Sequence, residues 1–453
     1  MTVCPSPDNP GLPSPWRAAN GVERFFCSLH DQFNGCGRIV FLSRFSGPYD
    51  EPAIERALQR VTLACARARM QVVRLRSGSY EYQPREPFPA PHIEFHPVND
   101  ADQGALVAAE LGNESFPAGS EPALRWTVLP ADDGTFQVLA LAHHALFDGA
   151  SMAILIRRFL EALGSDTTPN WKWPEPALPG ARWKTLRRHW TETIGHFSEL
   201  MPVMRRCTTL PRDPDAAETC VIHRWTVSET MQLMAACRQA ETTVTALLGI
   251  TGLFAARAHY GEELPVVDLN LPVNLRRFFP PDVADDTLGL LIAVRGFAID
   301  FQQPVSLREQ SQRLARDLRT FVEHEGPLRL IRTANLLIPR RLNLQPGRPP
   351  CVSANSLGRI TAEPSPSGVR WLECGWFGHG GSHMPAFSQA AAAINGSLTV
   401  TSYSNWIGSD HLRELAADVD ARLRQFAGVE TTVVVEPTPT AVVDPDSRTV
   451  SAV

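Results

Sequence analysis

The sequence predicts an α/β protein built from two similar lobes, and three observations carry that reading. Strand-like apolar stretches alternate with amphipathic helices along the chain. A segment at 164–181, with Pro169, Pro174, Pro176 and Pro179 around Trp171 and Trp173, breaks the alternation and reads as an inter-lobe linker. On either side of it each half ends alike, in a strand, a short polar loop and an amphipathic helix, which is a weak internal repeat.

The first elements follow from local signals. Pro-rich residues 1–15 are expected to form a flexible lead. Alternation predicts a strand at Arg38–Phe45. Asp50 caps a helix with Pro52 in its first turn and Ile54, Leu58, Val61 and Cys65 on one face. Gln71–Leu75 and Tyr80–Gln83 flank Ser-Gly-Ser as a hairpin, and Leu124–Leu129 and Thr135–Ala142 flank Asp132-Asp133-Gly134 as another. A helix with Ile154, Leu155, Phe159 and Leu163 on its apolar face closes the first lobe, 16–163.

Beyond the linker, a basic amphipathic helix is predicted near 182–206, then helices at about 229–240 and 244–257 and strands at Pro265–Leu271 and Leu290–Phe301. Met231 and Met234 read as a core stripe. Ser306 and Glu309 form a capping box opening a helix to about His324. The second lobe, 182–428, ends with a strand at Ser397–Tyr403 and a helix carrying Leu412, Leu415, Val419 and Leu423. The Pro- and Thr-rich tail 429–453 is expected to be disordered.

Composition excludes several function classes. The 453 residues hold 43 Lys+Arg against 48 Asp+Glu, a formal charge of −5, and 43% are hydrophobic, an ordinary globular balance. Basic residues cluster only as pairs, such as Arg187–Arg188 and Arg205–Arg206, so no nucleic-acid footprint is present. The apolar run at 244–256 is shorter than the ~20 residues a membrane span needs and reads as a buried helix. With neither a basic start nor an apolar h-region, no secretory signal is read, and a cytoplasmic monomer is expected. The nine cysteines are odd in number and never fall as C-x-x-C, so they read as small buried hydrophobes.

The chemistry concentrates in FQVLALAHHALFDGASMAILIRRFL, residues 136–160. With 13 histidines in 453 residues, His-His-x-x-x-Asp-Gly is expected by chance in about one chain per thousand of this composition. A buried strand delivers the pair His143-His144, and Asp148-Gly149 leads into a helix.

This strand, HHxxxDG and helix resemble the signature of the chloramphenicol-acetyltransferase-like superfamily. That group includes nonribosomal-peptide condensation domains, plant BAHD acyltransferases, polyketide-associated acyltransferases and alcohol acetyltransferases. Asn270-Leu-Pro-Val-Asn-Leu-Arg276 resembles the segment in which these proteins carry Pro-hydrophobic-x-x-Arg, and Ser353-Ala-Asn355-Ser-Leu-Gly358 resembles their Ser-Asn-x-Gly strand end. The resemblance spans about 16–426. It implies two chloramphenicol-acetyltransferase-like lobes forming a pseudo-dimer, with the active site at their interface and a tunnel reaching it from both faces.

The resemblance further implies that His144 is the base. An alcohol or amine attacking a thioester must lose a proton as the new bond forms, and a neutral imidazole takes it without a covalent enzyme intermediate. His143, facing the other way on the strand, is carried as a second candidate for a direct role. Asp148 stands where it could orient His144 as in a triad; the resemblance implies an ion pair with Arg276 instead. Gly149 is expected to allow close backbone approach.

Ser353, Asn355, His379 and His383 are candidates for the tunnel or an oxyanion site. Cys374, His379 and His383 form C-x4-H-x3-H, but their glycine-rich setting and the lack of a fourth ligand favour a tunnel-lining or structural loop, so no metal is expected. G-x-S-x-G, the P-loop and a strand-following G-x-G-x-x-G are absent. Gly375-Trp-Phe-Gly378 echoes only part of the BAHD DFGWG motif.

The expectation is therefore a stand-alone acyltransferase with no tightly bound cofactor. Its donor would be acyl-CoA or a phosphopantetheinyl thioester on an acyl carrier protein in trans, and its acceptor a small alcohol. The alternatives are a free-standing condensation enzyme using an amine, and a non-catalytic recruitment module.

Overall fold

The computed structural model describes residues 17–33, 35–85, 87–98, 103–113, 123–165, 171, 210–216, 218–261, 264–280, 283, 286–339, 342, 351–379 and 384–429. The expected lead, the basic helix at 182–206, most of the linker and the tail past Val429 lie outside these residues.

The chain begins with β1 (Arg17–Ala18) and α1 (Gly21–Gln32), a helix opened by a reciprocal cap. The Asn20 side chain accepts from the Glu23 N–H at 3.0 Å, and the Glu23 carboxylate accepts from the Asn20 N–H at 2.7 Å. Then follow β2 (Arg38–Ser46), α2 (Glu51–Ala64) capped by Asp50, β3 (Met70–Arg74), β4 (Tyr80–Pro84), β5 (His92–Phe95) and α3 (Gln103–Asn113). The hairpin β6 (Leu124–Pro130) and β7 (Thr135–His143) leads into α4 (Gly149–Ala162). Central strands β2 and β7 are buried on both faces, as their nearly continuous apolar sequences require.

The second half contributes β8 (Thr219–Arg224), α5 (Val227–Gln239), α6 (Val244–Tyr260), β9 (Val266–Asn274) and β10 (Ile292–Asp300). Next come α7 (Leu307–Glu323), α8 (Gly326–Leu337), β11 (Val352–Ile360), β12 (Arg370–His379), β13 (Phe387–Ile394), β14 (Ser397–Ser404) and α9 (Ser409–Ala427). Ser306 caps α7 by accepting from the Glu309 N–H at 3.3 Å.

Two main sheets organise these elements, in the orders β12-β2-β7-β6-β5 and β10-β9-β11-β13-β14-β8; β1, β4 and β3 form a small third sheet. The α/β two-lobed reading therefore holds, with one correction to its boundaries. A second lobe running unbroken from 182 to 428 does not account for β12, which leaves that lobe and pairs antiparallel with β2 of the first. The aromatic contacts explain the crossover. Trp376 stacks on Phe41 at 6.0 Å and Trp371 on Phe45 at 6.5 Å, so the strand completes the first core.

Two smaller expectations change. Met231 is 59% exposed and Met234 is half-buried, because the face that α5 buries carries Thr230, Leu233 and Cys237. The described cysteines are free thiols, and all are buried except the partly exposed Cys36. No helix among the described residues is long and apolar enough to cross a membrane.

Candidate active site

The end of β7 is pinned on both sides before the chain turns into α4. The His143 N–H donates to the Ala123 carbonyl at 3.0 Å and the His144 N–H to the Gly37 carbonyl at 2.9 Å. A tight turn follows, with the Leu146 and Phe147 N–H groups both donating back to the His143 carbonyl. Within it the His144 Nδ1 lies 3.1 Å from the Phe147 carbonyl. A carbonyl only accepts, so Nδ1 carries the proton and Nε2 keeps its lone pair. Burial lowers the His144 pKa below its usual value, against the opposing pull of backbone hydrogen bonds and Asp148, so the ring is neutral at pH 7.

Nε2 faces a cavity of about 390 Å³ whose wall includes His144, Asp148, Gly149, Asn270, Ser353 and Asn355. The rest of the lining is largely apolar, with Phe25, Phe26, Ile39, Ile292, Trp376 and Met384 prominent. The Phe26 ring lies 4.2 Å from the imidazole and fixes its plane. Space in front of the ring is kept by Gly378 of β12: a Cβ there would stand 3.7 Å from His144 Nε2 and 2.9 Å from Met384 Cε. At Gly149 a Cβ would sit 3.1 Å from the Trp376 indole nitrogen, so the close approach expected at this glycine is real.

Asp148 turns away from His144. Its Oδ1 accepts from the Ser151 N–H at 2.8 Å, capping α4, and from Arg276 Nη2 at 3.0 Å, while its Oδ2 accepts from Arg276 Nη1 at 2.8 Å and the Leu291 N–H at 2.9 Å. Both side chains are nearly inaccessible, at 3% and 7% exposure. Burial alone would raise the Asp148 carboxyl, but Arg276 and the hydrogen bonds from Ser151 and Leu291 outweigh it and hold the group below the usual carboxylate range. The ion pair implied by the resemblance is thus in place, and the triad alternative lacks the geometry.

His143 does not reach the cavity wall. It stacks on His30 at 4.4 Å and its Nδ1 accepts from the Ala145 N–H at 3.2 Å. Burial, with His30, His144 and Arg38 nearby, pushes its pKa well below the ordinary value. The register places His143, Arg38 and His379 side by side across β7, β2 and β12. His379 is therefore packed at the sheet end, with Nδ1 against the Glu218 carboxylate and Nε2 3.4 Å from Cys36 Sγ, instead of lining the cavity. His383 lies outside the described residues. Cys374 and His379 are five residues apart on one strand, about 16 Å by the rise of a β-strand, which separates the two as ligands of a common metal. Among the described residues no group of three or more His, Cys, Asp or Glu is placed to hold a metal ion.

Ser353 and Asn355, two apart on β11, do reach the wall, as the alternation of a strand predicts. Ser353 pairs in register with Asn270 on β9 and Ser388 on β13, which makes a polar row across three strands facing the cavity. Sequence reasoning missed Ser388, Gly378, Trp376 and Phe26. The Gly-Trp-Phe-Gly run was visible, but not its pairing with β2.

Residues 216–413 match the family described as phthiocerol/phthiodiolone dimycocerosyl transferase C-terminus. No curated protein matches the sequence. Among solved structures, the chain is similar to TRI3 trichothecene 15-O-acetyltransferase from Fusarium sporotrichioides (13% identity, TM-score 0.72, covering 91% of this chain and 95% of that one). It is also similar to polyketide synthase associated protein 5 from Mycobacterium tuberculosis (14% identity, TM-score 0.63, covering 93% and 100%). A third likeness is to the first condensation domain of the CDA synthetase (14% identity, TM-score 0.67, covering 91% and 96%). These near full-length likenesses show that the chain has the two-lobed α/β, chloramphenicol-acetyltransferase-like fold expected from its sequence.

Proposed function

We propose that the protein is an acyltransferase that moves an acyl group from a thioester to a hydroxyl, with His144 as general base. The observation that carries this reading is the state of that imidazole: buried, neutral, its Nδ1–H committed to Phe147 and its Nε2 open to the cavity. The acceptor hydroxyl gives its proton to Nε2 as its oxygen bonds to the thioester carbonyl carbon. Collapse of the tetrahedral intermediate breaks the C–S bond, and the imidazolium returns the proton to the departing thiolate. Ser353 and Asn355, which line the same cavity as His144, are the side chains assigned here to donate to the developing oxyanion, with Asn270 and Ser388 beside Ser353 in the polar row.

The donor is acyl-CoA or the phosphopantetheinyl thioester of a carrier protein in trans, used as substrate without a tightly bound cofactor. An oxygen acceptor is favoured by the likeness to an O-acetyltransferase, and the mainly apolar wall suits an apolar acyl chain or acceptor body. Incubation of the pure protein with a panel of acyl thioesters and mixed alcohols and amines, read by mass spectrometry, tests the reading. Ester products are expected; amide products alone would replace it by the condensation alternative.

A further inference from the structure

The end of the first sheet holds a histidine that the transfer chemistry leaves unused. The Gly37 N–H donates to the His379 carbonyl at 2.6 Å, and Arg38, the next residue, pairs in register with His379 across β2 and β12. The same turn fixes Cys36, whose N–H donates to the Phe33 carbonyl at 3.1 Å. Its Sγ thereby lies 3.4 Å from His379 Nε2, while the other ring nitrogen, Nδ1, meets the carboxylate of Glu218, the residue before β8.

Each ring nitrogen has a defined task. A carboxylate only accepts, so Nδ1 carries the proton and Nε2 presents its lone pair to the thiol. The Glu218 side chain is 3% exposed, so water screens its charge little and it favours the imidazolium that forms when Nε2 takes a proton. Thiol, imidazole and carboxylate in this order form a nucleophile, a base and the group that orients the base.

Burial raises the Cys36 thiol above its usual value, against the opposing pull of Arg38, so the sulfur holds its proton at rest and releases it to Nε2 only during an attack. Cys220 gives the contrast. Its thiol donates to the Ala105 carbonyl at 3.3 Å, which cannot take the proton, and burial pushes it up to about 12. Among the described cysteines Cys36 is the partly exposed one, and it does not line the catalytic cavity. An electrophile that reaches this half-covered sulfur comes from solvent and is small.

We propose that Cys36, His379 and Glu218 form a peroxide-reactive site. The Cys36 sulfur attacks one oxygen of a hydroperoxide, and the S–O bond forms as the O–O bond breaks. The thiol proton passes to His379 Nε2, and the imidazolium returns it to the departing hydroxide or alkoxide, which leaves as water or an alcohol. Sulfur is oxidised by two electrons to the sulfenic acid and the peroxide is reduced by the same two. The site uses neither His144 nor an acyl donor, so it stands or falls independently of the transfer reaction.

Treating the reduced, folded protein with hydrogen peroxide at pH 7, trapping sulfenic acid with dimedone and locating it by peptide mass spectrometry tests the assignment. Cys36 is expected to react at least about tenfold faster than the other described cysteines, and at least about tenfold faster than Cys36 of the same protein unfolded in urea. Exposure alone gives the reverse order, because unfolding uncovers the thiol and returns it to its ordinary pKa. His379→Gln should lower the folded rate at least about tenfold and Glu218→Gln by a smaller factor. Both variants are read only where their thermal melts match wild type, and the comparison in urea needs no variant. A Cys36 that reacts no faster folded than unfolded, or that keeps its folded rate in a folded His379→Gln protein, overturns the proposal.

Discussion

Asp148 and Arg276, 128 positions apart, close a bidentate ion pair at 2.8 and 3.0 Å that ties the N-terminus of α4 to the segment after β9. Arg276 adds a bond from Nε to the Thr287 carbonyl at 2.9 Å and one from Nη2 to Ser151 Oγ at 2.9 Å. The pair therefore fastens the turn that presents His144 to the other half of the chain without touching the imidazole.

Removing either partner strands a buried charge, which costs about 3–5 kcal/mol. Asp148→Ala and Arg276→Ala should each lower stability and activity together. In a double-mutant cycle of urea midpoints the combined loss should be far smaller than the sum. Additive losses, or an Asp148→Ala protein as stable as wild type that loses only rate, would return Asp148 to a role on His144.

The buried His30 sets an acid limit to stability. Burial, assisted by Arg38, lowers it to about 4, against 6.5 when unfolded. Between those values the unfolded chain binds more protons, so this contribution is full above about 6.5 and is lost as pH drops toward 4. The melting temperature should decline across that window, and the decline should lessen in His30→Gln. An identical profile in the variant would mean this ring is paired or solvated.

Activity should follow a different titration. Because His144 is held below the ordinary histidine range, kcat/KM should rise with pH to a plateau reached by about neutrality, its lower limb lying below 6.5. A limb centred at 7 or higher would show an imidazole stabilised as the cation.

Gly378 is a steric prediction. A methyl there meets only the mobile end of Met384, at 2.9 Å, yet intrudes 3.7 Å from Nε2. Gly378→Ala should fold with a loss within about 1 kcal/mol and lower kcat/KM by roughly tenfold or more. Unaltered kinetics would show that the reacting carbonyl approaches Nε2 from elsewhere.

How much was legible follows from the range of each interaction. The His144 turn, the Asp148 cap and the hairpin before them are local, so the sequence around 136–160 is enough to read them. Arg276 became legible only through the resemblance. The pairing of β12 with β2 joins residues as far apart as Arg38 and His379, and nothing in either strand names its partner. The Cys374, His379, His383 spacing looked like one loop because that pairing was hidden. The Met231 error has a plainer cause: α5 fills its buried face with Thr230 and Cys237, so apolar character alone picked the wrong side.

The central claim is tested most directly by comparing His144→Ala with wild type in single-turnover transfer from an acyl thioester to an alcohol, alongside their thermal melts. The account predicts a loss of about 10²–10⁴-fold in the transfer rate with the melting curve nearly unchanged. A variant that transfers at the wild-type rate, or loses only a few-fold, would contradict it and leave positioning alone as the source of catalysis.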